Sequence, residues 1–314
     1  MIKVENLSKS YSEVQAVKAI NFELNDGEIV GFLGANGAGK STTLKVMTGY
    51  LTPTSGNVYV NNLDIQHDTH EIQKQIGYLP ELNPLYGEMR VYDLLEFTGN
   101  IRNIHGKAFK NSLARVIEQC GLQGVIHKMI SECSKGYKQR IGLACAMIHD
   151  PKILILDEPV TGLDPNQIVE IRNLIKELGT EKLVLMSSHI LQEIQATVNR
   201  IIIINQGEIV ADGTNEELMS GFAGNTKLTL EAQNVNEQDI KSLSDKVPNI
   251  KLISSNQINE SHILQLEYEK GSDPRVELFK YAVDSNWIIT ELSPHSVNLE
   301  SVFRNLTMKE DTNA

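Results

Sequence analysis

At 314 residues, with 41% apolar and 22% charged side chains, the chain is long enough for one full globular domain and a smaller second one. A net charge of −11 excludes a nucleic-acid-wrapping role, and also a peripheral protein held on anionic lipid by charge alone, since both need an excess of Lys and Arg. No apolar run approaches the ~20 residues that cross a bilayer, so any membrane association has to come through a protein partner.

The opening Met1–Glu5 carries charges where a secretory leader would place its apolar stretch, so no leader is expected. Glu28–Leu33 reads as a buried strand that runs directly into a glycine-rich turn, with a helix from about Ser41 to Met47 behind it. Val91–Gln119 holds helical patterns without strand character, which predicts a helical subdomain at about 88–150. Lys152–Leu156 is a second strand, followed by two carboxylates. Asn166–Leu178 carries Ile168, Ile171, Leu174, Ile175 and Leu178 at helical spacing, with Gly179 expected as its C-terminal cap. Lys182–Ser187 is a third strand, and Arg200–Asn205 leads into the hairpin signal Gln206-Gly207. Strands alternating with amphipathic helices predict an α/β domain on a mostly parallel sheet, over residues 1–222.

A Gly/Ser/Asn cluster at Ser220–Asn225 marks a boundary, and the pattern restarts beyond it. Lys227–Glu231 alternates as a strand, Glu237–Val247 reads as a helix, and Lys251–Ser254 and Ile263–Glu269 read as strands. Asp273-Pro274 opens a helix in which Val276, Phe279 and Val283 share a face, and Trp287–Glu291 is a last strand. This β-α-β-β-α-β order predicts a small ferredoxin-like α+β domain over 223–314. A final helix carries Leu299, Val302, Phe303 and Leu306 in one stripe, ahead of a polar tail at Lys309–Ala314.

Gly34-Ala35-Asn36-Gly37-Ala38-Gly39-Lys40-Ser41 matches G-x-x-x-x-G-K-[ST], with Thr42 next. Glycines let backbone N–H groups turn inward around phosphate oxygens, and the helix that follows aims its positive end at the same anion. In this pattern Lys40 neutralises β/γ-phosphate charge and Ser41 offers its hydroxyl to Mg²⁺. Ile153–Leu156 then ends in Asp157 and Glu158, where a carboxylate can reach a metal held by the phosphate loop. Asp157 suits the Mg²⁺ and Glu158 suits a water that must be oriented and deprotonated.

Further phrases resemble the ATP-binding-cassette family. Cys133-Ser134-Lys135-Gly136-Tyr137 is similar to its signature Leu-Ser-Gly-Gly-Gln, and Pro159–Asp164 looks like its D-loop. His189 stands where the family has its switch histidine, and Tyr11 matches the aromatic that stacks on adenine. The resemblance covers about residues 1–220. It implies ATP with Mg²⁺ as the ligands, and hydrolysis carried by Lys40, Glu158 and His189. It also implies paired cassettes, as a homodimer or with a close relative, in which Ser134 and Gly136 of one close over ATP held by the other, and it makes Asp164 a further nucleotide-binding residue. Two departures stand out. Lys135 and Tyr137 replace Gly and Gln in the signature. Glu81, in Ile76–Glu81, replaces the Q-loop Gln; a carboxylate can take the metal or its water, yet cannot donate a hydrogen bond.

Ile76–Glu81 with Asn83-Pro84-Leu85-Tyr86, Ser134–Arg140 and Gly162–Gln167 together look like ATP-binding subunits of exporters with separate membrane subunits, especially the gliding-motility-associated one. The resemblance implies a peripheral place on the inner face of the cell membrane, an integral membrane permease as partner, and Leu82–Val91 as the segment that receives it. Residues 223–314 are similar to the accessory domain of that group. Two other readings stay open, a soluble cassette without transport and a nucleotide-sensing module without turnover. His67 and His70, spaced i,i+3, read as a solvated helix start before a metal site. Cys120, Cys133 and Cys145 form no Cys-x-x-Cys pair and read as reduced core thiols of a cytoplasmic protein.

Overall fold

The computed structural model describes residues 1–221, 226–269, 272–295 and 299–308. Two compact units divide the described residues, Met1–Asn215 with Leu306–Met308, and those of Glu216–Asn305. The domain limits expected from sequence, 222 and 223, lie outside the described residues, as does the polar tail at Lys309–Ala314.

The first unit opens with β1 (Ile2–Tyr11) and β2 (Val14–Leu24), then β3 (Ile29–Leu33), α1 (Lys40–Met47), β4 (Ser55–Val60), β5 (Leu63–Asp64), α2 (Thr69–Gln75) and β6 (Ile76–Leu79). Three helices follow, α3 (Val91–Ile101), α4 (Gly106–Cys120) and α5 (Lys135–Met147). After them come β7 (Ile153–Leu156), α6 (Pro165–Leu178), β8 (Leu183–Ser188), α7 (Leu191–Gln195), β9 (Arg200–Asn205) and β10 (Glu208–Thr214).

Two sheets result. One has the order β10-β9-β3-β8-β7-β6, with every neighbour parallel except the β10 edge. Its central strands β3, β7 and β8 are buried along their whole length, which is why they read as continuous apolar runs. The other sheet, β2-β1-β4-β5, is antiparallel throughout, an element the strand-helix alternation did not reveal. Its signal is the period-two run Ile20, Phe22, Leu24, whose side chains are buried between exposed neighbours.

Gly179 is the C-cap of α6 as expected, but in a right-handed conformation, with a φ of −68°, rather than the left-handed form usual for a glycine cap. A Cβ at this position would collide with Ile29, and the glycine lets the end of α6 lie against β3.

Along the second unit, α8 (Asn215–Gly221) leads to β11 (Thr226–Gln233), α9 (Glu237–Lys246), β12 (Ile250–Ile258), β13 (Ser261–Tyr268), α10 (Arg275–Asp284), β14 (Ile288–His295) and α11 (Leu299–Met308), the first residue of α8 and the last three of α11 being counted with the first unit. The sheet order β12-β13-β11-β14, all antiparallel, is the ferredoxin-like arrangement. Leu228, Leu230, Leu264 and Leu266 form one core with Leu243 of α9 and Leu278 of α10, so both helices cover the same sheet face. The face of α10 turned inward carries Leu278, Tyr281 and Ala282, while Val276, Phe279 and Val283 are exposed. Tyr281 is held there by its own polar end. Its hydroxyl donates to the Asp239 carbonyl at 2.8 Å, and its ring meets Trp287 edge-on at 5.5 Å.

Candidate active site

The phosphate loop leaves the buried end of β3 and enters α1. Gly37 and Gly39 have φ of +82° and +110°, where an L side chain is strained, so the loop can turn its amides inward only with glycine there. Gly34 is required for a different reason, since a Cβ would lie 2.5 Å from the Ile204 carbonyl oxygen. Ala38 is buried below, and its carbonyl accepts from Gly207 N–H at 2.9 Å, which ties the loop to the β9–β10 turn. The result is an open cleft of about 280 Å³ to which Asn36, Gly37, Gly39, Lys40, Ser41 and Thr42 contribute.

Lys40 is 6% exposed, and its Nζ donates to the carbonyls of Gly34 at 2.8 Å and Ala35 at 3.3 Å. It also faces Glu158 Oε1 at 3.4 Å, and Glu158 is itself 5% exposed. A cation and an anion out of water together are stabilised by pairing, and each would be costly alone.

Strand β7 lies between β6 and β8, and the carboxyl ends of β3, β7 and β8 meet at the cleft, the usual ligand side of a parallel sheet. Asp157 is buried there, and its Oδ1 accepts from Ser41 Oγ at 3.1 Å and Ser187 Oγ at 2.6 Å. Glu158 has a φ of +50°, unusual for a residue with a Cβ, and its N–H donates to Ser187 Oγ at 3.0 Å. Its Oε2 lies 2.9 Å from His189 Nδ1 and accepts from Thr161 Oγ1 at 3.1 Å. Close behind, Ser188 Oγ donates to Glu193 Oε2 at 2.7 Å. Burial raises the Glu193 carboxyl, and the nearby Glu158 charge adds to that.

Ser41 and Asp157 thus present a hydroxyl and a carboxylate oxygen 3.1 Å apart, with Glu81 on the same cleft wall. Such hard oxygen donors, few in number, fit Mg²⁺ that takes its remaining ligands from phosphate and water. Tyr11 does not line this cleft. It is exposed at the end of β1 with Lys9 Nζ 5.5 Å from its ring centre, and Ala16 is the β2 residue on the cleft wall.

Ser134, Gly136 and Asp164 gather elsewhere, around a second cleft of about 580 Å³. Ser134 caps α5 through an Oγ that accepts from Tyr137 N–H at 3.3 Å, and Asp164 caps α6 by accepting from Gln167 N–H at 3.0 Å. Gly136 is buried against Gln167, whose amide would lie 2.7 Å from an added Cβ. Apart from Tyr11, the nucleotide-site residues named from sequence therefore fall into two groups, at two separate clefts of the chain.

Sequence reasoning gave no role to Ser187 or Thr161. A Ser pair ending the apolar run Leu183–Met186 was the available signal for the first. His67 and His70 part to different clefts, the first beside Gly49 and the second beside Tyr78, and no metal-holding group of three His, Cys, Asp or Glu occurs among the described residues. Burial pushes the Cys120 and Cys145 thiols up to about 12 and about 11, which makes them inert core groups.

The family model described as ABC transporter matches residues 17–161. The linearmycin resistance ATP-binding protein LnrL of Bacillus subtilis is 33% identical over 312 residues, 98% of either chain. The chain belongs to the ATP-binding subunits of ABC transporters. A second relative of this cassette, the bacitracin transport ATP-binding protein BcrA of Bacillus licheniformis, is 38% identical over 68% of this chain and 69% of its own. The solved ATP-binding subunit of an ABC transporter superposes on the cassette with a TM-score of 0.64 at 27% identity, over 71% of this chain and 93% of that one. A bacterial ABC transporter cassette solved as a dimer gives 0.62 at 25% identity, over 68% and 98%. The names of these relatives speak of antibiotic resistance and transport, and none speaks of gliding motility.

Proposed function

We propose that this cassette hydrolyses ATP with Mg²⁺ and thereby drives export through a separate membrane subunit, from the cytoplasmic side. One observation carries the reading. A buried glutamate stands between the phosphate-loop lysine and a histidine, directly beside a Ser–Asp oxygen pair. Each side chain has a task in that chemistry. Lys40 exchanges the Gly34 and Ala35 carbonyls for the β/γ-phosphates, while the loop amides take up the phosphate oxygens. Ser41, Asp157 and Glu81 would hold Mg²⁺, which would supply positive charge against the phosphate oxygens. Glu158 accepts a proton from the attacking water as its oxygen bonds to the γ-phosphorus and the bond to ADP breaks. His189 keeps the carboxylate in line.

The separation of the two clefts supports a paired cassette, in which Ser134 and Gly136 of a second copy complete each nucleotide site. The exposed Leu82, Tyr86 and Phe97 support a docking place for the membrane subunit beside Glu81. Resistance or multidrug export is the class of transport that the relatives' names favour.

Glu158→Gln tests the reading. The variant keeps the shape and hydrogen-bonding reach of the side chain but cannot take the proton. Steady-state phosphate release is expected to fall ~10²-fold or more, while ATP affinity by calorimetry stays within severalfold of wild type. Equal turnover in both proteins would instead leave a nucleotide-sensing module.

A further inference from the structure

The two oxygens of Glu158 have different surroundings. Oε2 is doubly held, by His189 Nδ1 at 2.9 Å and by the Thr161 hydroxyl at 3.1 Å. Among the described residues, the one polar partner of Oε1 is Lys40 Nζ, at 3.4 Å. Thr161 reaches this place through a tight turn. Its N–H donates to the Glu158 carbonyl at 3.2 Å, and Pro159 at the second position of the turn has its φ fixed by its ring. Val160 is buried beneath, so the turn is anchored from below. Thr161 therefore grips Glu158 at both ends, its backbone by an amide and its carboxylate by a hydroxyl.

We propose that Thr161 is a positioning residue for hydrolysis, which with His189 occupies Oε2 and reserves Oε1 as the oxygen that takes the proton of the attacking water. The inference rests on the reading of Glu158 as the general base. When a γ-phosphate draws Lys40 away, Oε1 loses its one neighbour and is left with a free lone pair. Oε2 keeps both donors, which fix the plane of the carboxylate. The proton passes from the water to Oε1 while the water oxygen bonds to phosphorus and ADP departs with the electron pair of the broken P–O bond.

Thr161 is exposed, so Thr161→Val removes the hydroxyl at nearly constant volume without disturbing a core. The expected result is a kcat lowered roughly tenfold, with KM within about twofold, since a hydrogen bond to a charged group is lost only from the chemical step. Thr161→Ser, which keeps the hydroxyl, should return kcat to within about threefold of wild type. The proposal is overturned by a Thr161→Val enzyme with wild-type kcat, by a rise in KM as large as the fall in kcat, or by a serine variant no better than the valine one. Failure of the underlying reading looks different, for then wild type and Glu158→Gln release phosphate at the same rate.

Discussion

Glu81 is the residue at which this cassette departs most from the pattern it resembles. It places a carboxylate on the wall of the phosphate cleft, where the family has a neutral amide. Without Mg²⁺ that charge opposes the triphosphate, across several ångströms of partly wet space. The Coulomb cost is about 0.5–1 kcal/mol at such distances and screening. Glu81→Gln should therefore bind ATP in a metal-chelating buffer roughly threefold tighter than wild type, with a smaller difference once Mg²⁺ is added, both by calorimetry. A weaker affinity of the variant in the absence of metal would exclude electrostatic opposition. Lys40, Ser41, Asp157 and Glu158 were legible in the sequence because each stands at fixed spacing from a glycine loop or at the end of an apolar strand. Thr161 was within a quoted motif, yet its hydroxyl has a role only through a turn that returns it to Glu158. Ser187 becomes visible as a partner of Asp157 only when β7 and β8 lie side by side.

Among the elements, the end of α5 carries a titratable group that the chemistry does not use. His149 follows that helix, and its Nε2 lies 3.1 Å from the Ile76 carbonyl on β6, while its Nδ1 is buried without a partner. Burial, then the charge of Arg102, pulls this imidazole down to about 4. In the unfolded chain it titrates near 6.5, so between about 6.5 and 4 the unfolded state binds a proton that the fold excludes. The contribution is complete above about pH 6.5, falls as pH drops through that window, and is constant below about 4. It amounts to about 2 kcal/mol once partial exposure is allowed for. His149→Gln should therefore lose several degrees less than wild type in Tm between pH 7 and pH 4.5; parallel losses would count against a buried neutral imidazole. Most elements were legible from period and punctuation, as in α6, where apolar spacing and the Asp164 cap agree. The shared face of Val276, Phe279 and Val283 on α10 is exposed, because the amphipathic Tyr281 takes the inner side by satisfying its hydroxyl on Asp239. Gly179 caps α6 in a right-handed conformation, and crowding by Ile29 is what leaves no room there for a side chain.

At the scale of the molecule, the first unit follows from its sequence pattern because its parallel strands are buried on both faces and stand out as apolar runs. The antiparallel sheet β2-β1-β4-β5 was less legible, since register shifts in β1 break its alternation. The two clefts described above give the pair of cassettes a genetic signature. A copy lacking Lys40 retains a sound Ser134 surface, and a copy lacking Ser134 retains a sound phosphate loop. Each variant alone should be nearly silent in phosphate release. Mixed in equal amounts, they should regain about a quarter of wild-type turnover, because half of randomly formed two-fold pairs reunite one whole site from two broken partners. A mixture as silent as its components would mean that each chain works its nucleotide alone.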